Sequence, residues 1–106
     1  MTSDQGLVER IREALADQPG LTERRIFGSH GFLLDGHLCA AVRGDDLMAR
    51  VPVDDYEQTL KQPGVSIFPK PMKGWVLVSQ EILAEDADLE QWLDDGVDIV
   101  RALPPK

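Results

Sequence analysis

The chain has 106 residues, of which 42% are hydrophobic and 28% are charged, and its formal net charge is −8. This length and composition are those of one folded globular domain, which we place over residues 1–106. The negative charge opposes sequence-independent nucleic-acid binding, which needs clustered Lys and Arg against the phosphates, so a nucleic-acid partner is not expected.

The sequence carries no sign of export or membrane insertion. No apolar run approaches the ~20 residues that span a bilayer, and the N-terminus lacks a cationic start followed by an apolar stretch. The single cysteine, Cys39, permits no internal disulfide. We therefore expect a cytoplasmic protein with no membrane association.

The first element is an amphipathic helix, predicted over residues 4–17 from apolar residues at helical spacing. Ser3 or Asp4 can cap its N-terminus, and Pro19 followed by Gly20 ends it. The apolar positions are Leu7, Val8, Ile11, Ala14 and Leu15.

Short apolar runs broken by turn residues then indicate an antiparallel meander. Its clearest feature is Asp35-Gly36, a pair suited to the positive φ angles of a tight hairpin turn. Residues 44–46 turn the chain again. The predicted strands cover residues 24–27, 32–34, 37–43 and 47–51.

Alternation along the two longer strands sorts their side chains into two faces. One face is aliphatic and is expected to pack under helices, with Leu38, Ala40, Val42, Leu47, Ala49 and Val51. The other face mixes thiol, imidazole and guanidinium groups and is expected to be open to solvent, a ligand or a partner. It carries His37, Cys39, Ala41, Arg43, Met48 and Arg50.

The second half of the chain completes an α+β fold. A short helix is expected around Tyr56, followed by strands over 65–68 and 75–78 and a last helix that starts at Asp86 or Asp88. This helix contains Gly96, and the lack of a side chain there lets a neighbouring strand or helix come close. The architecture is a two-layer sandwich of about five antiparallel strands and three helices. The element order is α-β-β-β(-β)-α-β-β-α.

A stiff cationic loop precedes the strand at 75–78. Proline fixes φ, so Pro69 and Pro71 hold this loop extended and present Lys70 and Lys73, while Gly74 lets the backbone turn. Trp75 and Trp92 are expected to anchor the core between the last strand and the last helix.

Five motifs, taken together, resemble one known family. They are RIFG at 25–28, GFLLDG at 31–36, GDDLMARV at 44–51, PMKGW at 71–75 and LPPK at 103–106. In order and spacing they are similar to the N-terminal domain of the TfoX/Sxy bacterial competence regulators. The resemblance implies a secretion-chaperone-like α/β fold with an antiparallel sheet. The second, helical domain of the full-length regulators is not part of this sequence, and the family supplies no catalytic residues.

His37 and Cys39 are the one candidate for nucleophilic chemistry. Two residues apart on a strand, they share a face and could form a thiolate–imidazole pair. Because no third group is evident to orient the imidazole, packing is the preferred interpretation. One Cys and two His also lack the paired spacings of zinc sites, so we expect no metal and no other cofactor.

The remaining candidates for a site are the basic residues Arg24, Arg25, Arg43, Arg50, Lys70 and Lys73. Arg43 and Arg50 flank the turn at 44–46, and the lysines approach from the loop, so a local cationic patch could recognise carboxylate or phosphate. The competing interpretation, which we favour, is that these charges pair with the chain's many acids.

Three hypotheses for function follow. The first is a non-enzymatic regulatory module that binds a protein partner, or itself as a homodimer, through the open sheet face or an exposed edge of the sheet. Its candidate contacts are Lys70, Lys73, Gly74, Arg43, Arg50, His37 and Cys39. The second is a nucleic-acid-associated regulator that uses the Arg/Lys patch. The third is a small enzyme that uses Cys39 and His37.

Overall fold

The computed structural model describes residues 4–26, 28–68 and 72–104. Three α-helices and six strands make up this part of the chain, with short 3-10 turns at Val53–Asp55 and Gln80–Leu83. Their bounds are α1 Gln5–Ala14, β1 Leu21–Ile26, β2 Ser29–Leu34, β3 His37–Arg43, β4 Asp46–Arg50, α2 Tyr56–Thr59, β5 Val65–Ser66, β6 Trp75–Val78 and α3 Asp86–Arg101.

The six strands form one antiparallel sheet in the order β1-β2-β3-β4-β6-β5. The expected α+β fold is confirmed, and the sheet has six strands where about five were predicted. The predicted first strand starts three residues earlier than expected, at Leu21, while the strand at 65–68 shortens to two residues.

The predicted hairpin between β2 and β3 is confirmed in its backbone geometry. Asp35 has φ 50° and Gly36 has φ 87°. Left-handed conformations at both central positions match the right-handed twist of the flanking strands, and Gly and Asp tolerate them better than most residues. The turn therefore fixes the β2–β3 register at this end.

The helices cover one side of the sheet. Asp4 caps α1, since its Oδ1 accepts a hydrogen bond from the Leu7 backbone N–H at 3.0 Å, and α1 ends at Ala14 rather than at residue 17. The core between the two layers is built from α1, α3 and alternate residues of the strands. Its central members include Leu7, Ile11, Phe32, Val42, Leu47, Val76, Val78, Leu89 and Leu93.

Gly96 brings α3 against β3, as its place inside the helix indicated. A Cβ atom at this position would lie 2.6 Å from the Cys39 carbonyl oxygen and 3.3 Å from the Cys39 Sγ. Any side chain would therefore force the helix and the strand apart.

A β-bulge in β3 changes the predicted assignment of side chains to the two faces. Leu33 pairs with Leu38, but Phe32 pairs with Ala40, so Cys39 is an extra residue without a partner on β2. A bulge of this kind interrupts the alternation of the strand. The two faces expected from strict alternation are consequently wrong at residues 37–39.

Among the residues that the structure describes, no helix is both long enough and apolar enough to cross a membrane.

Candidate interaction surface on the sheet

The side of the sheet opposite the helices is called here the helix-free face. Its residues alternate along each strand with residues of the core. One row of paired residues crosses the face from Gly31 on β2 through Ala41 and Met48 to Leu77 on β6. The main side chains of the face are those of Arg24, Leu33, Leu38, Ala41, Arg43, Asp46, Met48, Arg50, Trp75 and Leu77.

The helix-free face is partly closed rather than fully open. Leu33 and Ala41 are buried, and Phe68, which belongs to neither core cluster, is only 4% exposed. Val42 is in the core, so the next residue, Arg43, projects from the helix-free face. Phe68 lies beside Arg43 and therefore covers part of this face. Leu38, Met48, Trp75 and Leu77 remain half-buried, so apolar surface stays accessible in the middle of the face.

Arg50 is held in place by an aromatic ring and a carbonyl group. It pairs across the strands with Trp75, and its guanidinium carbon lies 5.4 Å from the centre of the indole ring. Its Nη1 also donates a hydrogen bond of 3.1 Å to the Leu38 carbonyl oxygen. Trp75 therefore supports this arginine, and the expectation that it anchors the core beneath the last helix is wrong.

Arg43 has a similar arrangement at the other end of the face. Its guanidinium carbon lies 6.0 Å from the centre of the Phe68 ring. Arg43 pairs with Asp46, and Arg50 lies four residues further along β4. At ~3.3 Å per residue the two positions are about 13 Å apart, so they form two separate cationic points rather than one patch.

The arginines of the helical layer, in contrast, pair with acids. Arg10 contacts Asp86 at 3.2 Å, Arg12 contacts Glu23 at 2.7 Å as well as Glu9, and Arg101 contacts Asp35 at 3.0 Å. Within the described part of the chain, Arg24, Arg43 and Arg50 form no ion pair. These three arginines thus do not form the expected salt bridges with the acids among the described residues, although the charge of Arg43 acts on the Asp46 carboxylate opposite it.

His37 and Cys39 lie on the helical side of the sheet, not on the open face where they were expected. His37 Nε2 lies 2.5 Å from the Pro104 carbonyl oxygen, just beyond α3. Cys39 is 1% exposed and packs with Leu34 and Val100, and burial raises the pKa of its thiol to about 11. The physical reason is the bulge, which turns Cys39 towards α3. A buried neutral thiol is a poor nucleophile.

The cationic loop is described only at its ends. Lys70, Pro69 and Pro71 lie outside the described residues, while Lys73 is exposed. Gly74 has φ 93°, and its carbonyl oxygen accepts a hydrogen bond of 2.8 Å from the Val51 N–H, which ties the loop to the end of β4. Three large apolar side chains near the loop are exposed. Ile67 and Met72 are close to it in sequence, and Val53 lies next to Gly74 in space.

An acidic groove on the helical layer was not predicted from the sequence. It has a volume of about 540 Å³ and lies between α3, the turn after α2 and the 3-10 turn at Gln80–Leu83. Trp92 lines it together with carboxylates from Glu81, Glu85, Asp88 and Asp95. Trp92 also packs against the core, so its predicted anchoring role holds for only part of the ring.

No metal site is evident in the part of the chain that the structure covers. Among those residues, no three His, Cys, Asp or Glu side chains lie close enough together to hold an ion.

Comparison with known proteins places the chain in a family. No curated protein and no solved structure matches it significantly. The family model described as the TfoX N-terminal domain matches residues 13–99, which include β1 to β6 and nearly all of α3. The match covers most of the chain, in agreement with the five motifs and the α+β fold. The chain therefore belongs to the TfoX N-terminal domain family.

Proposed function

We propose that this domain is a non-enzymatic regulatory module that works by binding another protein through the helix-free face. The observation that carries the proposal is the combination, on one face, of half-buried apolar side chains with arginines that form no ion pair within the described residues. Protein interfaces are enriched in this mixture of aromatic residues, Met and Arg. Family membership supports a regulatory role linked to competence or transcription.

The third hypothesis, an enzyme based on Cys39 and His37, loses its support. The thiol is buried under α3, burial raises its pKa, and the imidazole is engaged with the Pro104 carbonyl. His37 is half-buried, but the Cys39 thiol is 1% exposed, so a substrate on the surface could not reach both groups.

A nucleic-acid partner is the second candidate function, because Arg24, Arg43 and Arg50 share one face and form no ion pair within the described residues. The net charge of −8 opposes it, since a polyanion would be repelled by the rest of the molecule. A mobility-shift titration separates the two functions: phosphate contacts must weaken steeply as salt rises, whereas an apolar protein interface need not.

The experiment that tests the proposed function is a tagged pull-down from the native cell. Wild type is compared with Met48→Gln/Trp75→Gln, which removes apolar surface from the helix-free face, and with Glu90→Gln, an exposed change on α3. A protein captured by wild type and Glu90→Gln but lost with the double variant supports the proposal. Equal capture by all three would refute it, provided that circular dichroism shows each variant folded.

Self-association through the same face is tested separately. Light scattering after size exclusion is expected to show a dimer of wild type, if the partner is a second copy, and a monomer of Met48→Gln/Trp75→Gln. A wild-type monomer at high concentration would restrict the proposal to a different protein partner.

A further inference from the structure

The two aromatic-supported arginines define what the partner must present. Arg50 rests on Trp75 and Arg43 on Phe68, with distances of 5.4 and 6.0 Å between guanidinium carbon and ring centre. A ring beneath a guanidinium restricts its motion yet leaves its planar edge free for hydrogen bonds. Both side chains are therefore oriented before any ligand arrives.

Their hydrogen-bonding capacity is mostly unused. Arg50 donates one bond, from Nη1 to the Leu38 carbonyl oxygen, and within the described residues its other N–H groups meet no acceptor. Arg43 is exposed and forms no hydrogen bond or ion pair there, and its charge acts on the Asp46 carboxylate opposite it only without direct contact. Guanidinium groups in this state bind carboxylates in a bidentate manner.

The residue between the two arginines is apolar. Met48 lies on the same face of β4, two residues before Arg50, and pairs with Ala41, two residues before Arg43 on β3. The surface thus has one arginine at each end and apolar side chains between them over about 13 Å along the strand direction, with the Asp46 carboxylate beside Arg43. An extended peptide repeats its side chains on one face every two residues, so its first, third and fifth side chains span the same distance.

We propose that the helix-free face binds an extended acidic segment of a partner protein with the pattern acid-x-apolar-x-acid. Its two carboxylates pair with Arg43 and Arg50, and its central apolar side chain packs on Met48 and Leu77. This inference rests on the proposed function and adds the chemistry of the partner. The chain's own charge of −8 does not oppose a segment with only two acids as it opposes a polyanion.

Fluorescence anisotropy with a labelled peptide tests the assignment. The probe contains Glu-Thr-Leu-Thr-Glu between neutral flanks, and the control peptide has the same composition with its two glutamates adjacent. We expect the first peptide to bind at least fivefold more tightly. Equal binding of the two peptides, or no binding of the first at ~1 mM, would overturn the proposal.

Protein variants locate the site. Arg43→Gln and Arg50→Gln are each expected to weaken peptide binding about tenfold, as loss of one charge-assisted contact does. Arg25→Gln is the matched control, because Arg25 is exposed on β1 but pairs with His30 and so alternates to the other side of the sheet. An equal loss with Arg25→Gln would show mere attraction between net charges and refute the site.

Two further measurements keep the result interpretable. Arg50→Lys retains the charge and the ring contact but lacks the planar fork, so we expect a loss smaller than that of Arg50→Gln yet measurable. A single-stranded oligonucleotide that displaces the peptide and loses binding in the same variants would reassign the face to nucleic acid. If the pull-down partner depends on Met48 and Trp75 but not on Arg43 or Arg50, the proposed function stands and this inference fails.

Discussion

Replacing Gly96 with alanine tests how tightly α3 is packed on the sheet. The new Cβ would lie 2.6 Å from the Cys39 carbonyl oxygen, whereas ordinary contacts begin at 3.4 Å. The helix must therefore retreat by about 0.8 Å, because the obstacle is backbone rather than the end of a flexible side chain. Such overpacking costs ~2–3 kcal/mol, and alanine's better helix propensity returns ~1 kcal/mol.

We expect Gly96→Ala to lower the free energy of unfolding by about 1–2 kcal/mol and Tm by roughly 5–15 °C. Urea denaturation and thermal melting measure both. Gly6→Ala in α1 is the matched control: its Cβ would meet only Asp4 Oδ1, at 3.2 Å, and the slight displacement of this capping oxygen should offset most of alanine's advantage, so that stability changes by less than ~0.5 kcal/mol. A Gly96→Ala variant that melts at or above the wild-type temperature would refute the close approach of α3 to β3.

Three other predictions concern groups on the helical side of the sheet. The hydrogen bond from Arg12, with a smaller effect from His30, lowers the pKa of Glu23 to about 2. The ionised Glu23 therefore stabilises the folded state fully above the unfolded pKa of about 4.5, and this contribution is lost as the pH falls through 2. Glu23→Gln should therefore cost on the order of 1 kcal/mol at pH 7 and nothing well below pH 2, measured by urea denaturation, and a difference independent of pH would contradict this. Cys39 should react with a thiol reagent at pH 7.5 only after denaturation, so rapid native labelling would disprove its burial. Trp92→Ala should cost ~2–3 kcal/mol, less than for a fully buried ring, and an unchanged melting temperature would show that the ring contributes nothing to the core.

Local chemistry made several elements predictable from the sequence. The Asp35-Gly36 turn needs positive φ at both positions, and few residue pairs satisfy this without strain. The amphipathic pattern of α3 and the glycine within it indicated both the helix and its close approach to a strand. In each case the determining interactions lie within a few residues or within a single periodic pattern.

The bulge at Cys39 could not be predicted in the same way. It depends on how β3 fits between β2 and α3, where Cys39 packs with Leu34 and Val100 from distant parts of the chain. A one-residue shift changes the face of every side chain up to the next irregularity. For this reason the thiol and the imidazole were assigned to the wrong side while Arg43 and Arg50 were assigned correctly.

The aromatic partners of the arginines also could not be predicted from the sequence. Trp75 has the size of a core residue, and only the β4–β6 register places it opposite Arg50 on the helix-free face. The acidic groove likewise depends on the packing of α3 beside the turn after α2. Pairings between residues distant in the chain decide both features.

The meander of β1 to β4 has a consequence for the order in which the domain folds. Successive strands in this half of the sheet are joined by two-residue connections, so each pairing closes a short loop with little loss of chain entropy. The pairing of β4 with β6 brings Leu47 to Val78 across about thirty residues, and docking of α3 spans still more of the chain. Contact order therefore predicts that the hairpins form first and that the slow steps are the closure of the sheet at β6 and the docking of α3 over the core.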